Sequence, residues 1–150
     1  MPLLALLLAC AALAAGCGGG VRGSIALDDY ERALTALRAS EGDGQLHGAR
    51  LDGGEITFDL VREGPATRVR WTGEELEDTD DEVFAGPYFD LSRLTAEGAR
   101  ALLDAAPVAV ERVEYAADDD GRIRVTLVGE GRTFVAGPDG TGLRELAPVG

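Results

Sequence analysis

The stretches "GGEITFDLV" (residues 53–61) and "DGRIRVTLV" (residues 120–128) decide the fold, because both alternate apolar and polar side chains. In the first, Ile56, Phe58 and Leu60 alternate with Thr57 and Asp59. In the second, Ile123, Val125 and Leu127 alternate with Arg122, Arg124 and Thr126. Successive side chains of a strand point to opposite faces, so this period predicts two half-buried antiparallel strands. Asp52-Gly53-Gly54 and Asp118-Asp119-Asp120-Gly121 precede them, and Gly and Asp tolerate the positive φ that hairpin turns use. Further strands are expected over 45–51, 67–72, 110–116, 132–136 and 143–146.

Helical spacing precedes each set of strands. Leu27, Tyr30, Leu34 and Leu37 recur at intervals of three and four, which places them on one helical face. Asp28 and Glu31 have the spacing of a capping box. In "SRLTAEGARALLDAAP" (residues 92–107), Thr95 is a candidate N-cap and Pro107 a stop. Leu94, Ala99, Leu102, Leu103 and Ala106 supply the apolar stripe of that second helix.

An ungapped shift of 67 positions superposes the two halves. It places Leu27 on Leu94, Asp52 on Asp119, Ile56 on Ile123, Leu60 on Leu127 and Gly64 on Gly131. The expected fold class is α+β, with two tandem repeats, each one helix followed by a three- or four-stranded antiparallel meander. The repeats are drawn at 25–78 and 92–147, joined by an acidic and aromatic linker over 79–91.

The N-terminus points to an address. Leu3 to Ala15 is an apolar run too short for a membrane span, which needs roughly 20 residues. It runs into Gly16-Cys17-Gly18-Gly19-Gly20, the layout of a secretory signal followed by a tether. Ala14-Ala15-Gly16-Cys17 resembles the lipobox of bacterial lipoproteins. That resemblance implies a signal peptide over 1–16, lipidation of Cys17, a Gly-rich tether over 17–24, and anchorage in the bacterial cell envelope facing out of the cytoplasm. The helix-then-meander layout ending in "GRTFVAGPDGTGLREL" (131–146) resembles PepSY-type and β-lactamase-inhibitor-like envelope domains. "YFDLSRLTAEGARALL" (88–103) is similar to uncharacterised actinobacterial lipoproteins. The first of these likenesses implies a secreted or membrane-bound peptidase as partner.

Charge narrows the function classes. The chain carries 27 acidic residues against 14 basic ones, all arginine, for a net charge of −13. Such a balance repels nucleic acid and anionic head groups, so no nucleic-acid partner is expected and membrane attachment falls to the lipid anchor. With Cys10 in the signal and Cys17 lipidated, no thiol remains for disulfide, metal or redox chemistry. A monomer is expected.

Catalytic constellations are missing from the sequence. There is one histidine, His47, and the serines Ser24, Ser40 and Ser92 lie in no nucleophile-elbow motif. Neither "EELEDTDDE" (74–82) nor "DDDG" (118–121) has the spacing of a calcium loop, and no cofactor or metal is expected. The reading is a non-catalytic envelope module that binds or inhibits a protein; a lipid or small-molecule carrier and a structural spacer are the alternatives. The candidate partner-binding residues are Arg68, Arg70, Arg122 and Arg124 on polar strand faces, with Trp71, Phe84 and Tyr88 near the linker. Arginine supplies bidentate donors for a partner's carboxylates, and Trp and Tyr anchor interfaces.

Overall fold

The computed structural model describes residues 25–148, so the segments expected to be a signal peptide (1–16) and a tether (17–24), with Cys17, lie outside the described residues. Helix α1 (Leu27–Glu41) buries Tyr30, Ala33, Leu34 and Leu37, the face the three- and four-residue spacing selects. Its N-cap is Ala26, which makes no side-chain cap, so the capping box expected at Asp28 and Glu31 does not form. Asp28 and Asp29 instead stand in the first turn, where the helix dipole favours negative charge. Helix α2 (Ala96–Ala105) is capped as its sequence predicts: Thr95 accepts from the Gly98 N–H at 2.9 Å. Ala106, before Pro107, is extended, and the helix ends there.

Among the described residues nine strands form one antiparallel sheet. They are β1 (Gln45–Asp52), β2 (Glu55–Leu60), β3 (Thr67–Trp71), β4 (Leu76–Asp78), β5 (Phe89–Asp90), β6 (Arg112–Ala117), β7 (Ile123–Gly129), β8 (Arg132–Ala136) and β9 (Arg144–Glu145). Their spatial order is β4-β3-β2-β1-β6-β7-β8-β9. The short β5 pairs with the start of β1, Leu46 against Phe89, just where the β6 pairing gives out at Gly48. The segment expected to be a linker, 79–91, follows β4 directly and is itself built into the sheet near its far end, through β5.

One face of the sheet carries the core. Across the strands, Val69, Phe58, Ala49, Tyr115, Val125 and Ala136 follow one another in register, and all are buried. The small Ala49 leaves room above β1 for the Tyr30 ring of α1. That ring stacks on Phe58 and Tyr115 at centroid distances of 6.5 and 6.4 Å. The two helices touch each other over this face, where the Arg38 guanidinium donates to the Leu94 carbonyl. No helix among the described residues is long and apolar enough to cross a membrane.

Candidate functional site

Both helices lie on the core face, which leaves the other face of the sheet open. One register row crosses it from edge to edge: Glu77, Arg70, Thr57, Arg50, Glu114, Thr126, Val135 and Arg144. The pleat that sends the neighbours of these residues into the core sends them outward. Four sequence candidates, Arg68, Arg70, Arg122 and Arg124, belong to this side of the molecule, but the register separates them into two pairs.

The β3 pair is engaged. Arg68 holds Asp59 in a two-point contact, Nε to Oδ1 at 2.7 Å and Nη2 to Oδ2 at 3.0 Å. That hydrogen bonding raises the Arg68 pKa above its ordinary value despite partial desolvation. Arg70 lies 4.0 Å from Glu77. The middle of the face is likewise matched, with Arg50 at 2.6 Å from Asp52 and Arg112 at 3.4 Å from Glu114. Thr57 is buried between the Arg50 and Arg70 positions of its row, where long arginine stems can shield a strand surface.

The β7 pair is not engaged. Arg122 and Arg124 are exposed and make no salt bridge among the described residues. They line an open groove of about 330 Å³ together with Arg144 of β9, over a floor that includes Val135. The carboxylate of Asp118, at the groove's end, is turned to its own hairpin. Its Oδ1 accepts the N–H groups of Asp120 and Arg122 at 3.0 and 2.8 Å. Glu145, beside Arg144, is held by Arg132, Nε to Oε1 at 2.8 Å, and that hydrogen bond lowers the Glu145 pKa. Sequence reasoning did not single out Arg144. It expected a strand there, but only the pairing of β8 with β9 brings this guanidinium onto the face that carries Arg124.

The aromatic candidates divide too. Trp71 is only 8% exposed and belongs to the core, with the Arg32 guanidinium 5.7 Å from its ring centroid. Phe84 is 85% exposed and Tyr88 50%. Their loop adjoins the β6–β7 turn: a Cβ built on Gly121 would lie 3.9 Å from the Tyr88 carbonyl oxygen. Arg93 ties the same turn down by donating to the Gly121 carbonyl at 3.1 Å.

Of the residues considered for catalysis, Ser24 lies outside the described residues, and His47 and Ser40 have different partners. The His47 ring Nδ1 lies 3.3 Å from the Pro87 carbonyl oxygen, whereas the Ser40 hydroxyl donates to Leu37 at the end of α1. Among the described residues no group of three or more His, Cys, Asp or Glu is placed to hold a metal ion. No protein-family model matches the chain, and no curated protein or solved structure matches it. The reading of the site therefore rests on its geometry.

Proposed function

We propose that this chain is a non-catalytic module of the bacterial cell envelope, anchored by lipid at Cys17, that binds a protein partner on its open sheet face. The observation that carries the reading is the pair of unmatched arginines, Arg122 and Arg124, on a face whose other charges are largely matched. A chain with 27 carboxylates could neutralise these two internally, yet Asp118, which lines the same groove, gives its Oδ1 to the backbone of its own hairpin. The lipid-carrier alternative calls for apolar residues on both faces, and Glu77, Arg70, Arg50 and Glu114 make the open face charged.

Tandem duplication is part of this reading. Phe58 pairs with Val69 and Val125 with Ala136, and the two pairs coincide at the 67-residue shift. Leu46 with Leu60 and Val113 with Leu127 coincide likewise. The core-side pattern is thus repeated while the open face diverges. Where the first half has the Asp59–Arg68 ion pair, the second has Thr126 opposite Val135. That divergence favours the second half as the binding half.

In-cell crosslinking of the native lipoprotein, followed by capture, tests the reading. Arg122→Glu with Arg124→Glu should abolish capture without unfolding the chain, since exposed substitutions usually change stability by less than about 0.5 kcal/mol. Loss of capture on changing Phe84 and Tyr88 alone would move the site to the aromatic loop. Capture unaffected by either set would leave the structural-spacer reading.

A further inference from the structure

The structure assigns the groove formed by Arg122, Arg124 and Arg144 to a short acidic peptide segment of the partner, a step that rests on the protein-binding reading above. Three arginines line one open groove in a chain whose net charge is −13. Arg122 and Arg124 stand two residues apart on the β7 side, the interval at which side chains share a face, and Arg144 reaches the same face from β9. The lining carboxylate, Asp118, already accepts two backbone N–H groups. Among the described residues none of the three guanidinium groups makes a salt bridge or a hydrogen bond, so their donors are open to a ligand.

The ligand's size follows from the electrostatics of the whole molecule. A long polyanion would extend over the acidic remainder of the surface and be repelled there. At physiological salt, charges are screened beyond about 8 Å, so a short ligand confined to the groove meets mainly the three arginines. Val135 in the groove floor, with Thr126 paired beside it, offers a small β-branched surface between the charges. An extended peptide alternating acidic and β-branched side chains complements this: carboxylates for forked, charge-assisted pairs with arginine, and methyl groups for the floor.

Fluorescence anisotropy with the full chain in detergent and a labelled peptide of alternating Glu and Val tests the assignment. A Lys–Val peptide and inorganic phosphate serve as comparators. The Glu–Val peptide should bind, and added salt should weaken it. Arg122→Gln, Arg124→Gln and Arg144→Gln should each weaken it roughly tenfold or more. Arg100→Gln, an exposed arginine of α2, should leave it unchanged. Binding no tighter than that of the Lys–Val peptide, or insensitive to Arg144→Gln in a chain with unchanged circular dichroism, would overturn the assignment. Equal competition by phosphate would reduce the groove to a simple anion site and overturn it as well. Self-association that is lost when the acids of 74–82 become amides would give the groove to a second copy instead. If partner capture depends on Arg122 and Arg124 but the peptide does not bind, this inference fails while the protein-binding reading stands.

Discussion

Tyr30 and Tyr115 stack in the centre of the core; their hydroxyls are near enough to influence one another's titration, yet among the described residues neither phenol oxygen makes a hydrogen bond of good geometry. A buried hydroxyl without a partner forfeits roughly 1–3 kcal/mol of hydration, so removing the oxygen alone removes a penalty. Tyr30→Phe should therefore raise stability by about 1 kcal/mol, while Tyr30→Ala should lower it by about 3–5 kcal/mol through the cavity it leaves. Urea midpoints measure both, and a clear loss in Tyr30→Phe would mean that the Tyr115 hydroxyl or a trapped water bonds the Tyr30 hydroxyl. Burial also raises both phenol pKa values above the ordinary range. The folded state then holds protons that the unfolded chain releases above about pH 10, so this stability is full below that pH and falls above it. The double Phe variant should flatten the alkaline decline. Trp71 shows what residue type leaves undetermined. An aromatic at a strand end reads equally as core or as interface, and here the core wins because the ring points to the buried face.

At the scale of elements, the strongly periodic segments were legible: α1, α2, β2 and β7 follow directly from their apolar spacing. The short β4 and β5 were not, because two or three residues carry no period and their pairing depends on partners distant in sequence. The capping box failed for a related reason. An Asp–x–x–Glu interval is common in an acidic chain, and the helix began one residue before it. Gly129 gives the sharpest test of element packing. A Cβ there would stand 2.0 Å from the Ala109 carbonyl oxygen, backbone that cannot swing aside like a side chain. Gly129→Ala should cost about 1–3 kcal/mol or more, read from the thermal midpoint. The adjacent turn allows a change in the opposite direction. Glu130 has φ +53°, followed by Gly131 at +71°, and closes β7 onto β8. Asn suits that conformation better than Glu, so Glu130→Asn should raise stability by roughly 0.5 kcal/mol.

For the whole molecule, the sheet's one-sidedness was legible and its register was not. Alternation at residues 56–60 and 123–127 announces one buried face, but no local signal states that β1 and β6 meet, or that Arg144 joins Arg124 across β8. The β1–β6 contact is also where the duplication reading can be tested without any partner. It is antiparallel, with Leu51 opposite Val113 and Ala49 opposite Tyr115, and it joins the first strand of one half to that of the other. At the 67-residue shift Val113 corresponds to Leu46, so the same contact between two copies of the first half would place Leu51 opposite Leu46. Both residues are buried in the intact chain. A fragment of residues 25–78 by itself would expose one edge of β1 and the flank of α1 that α2 covers, a combination that favours self-pairing. A symmetric arrangement of two such fragments satisfies both surfaces at once, because an antiparallel strand pair has the twofold relation an isologous dimer requires. The fragment should therefore fold as a homodimer, with strand and helix signals in circular dichroism that vanish together on dilution. Light scattering gives the mass. A fragment that folds as a monomer, or that stays unfolded at concentrations where the intact chain is folded, would count against two equivalent halves.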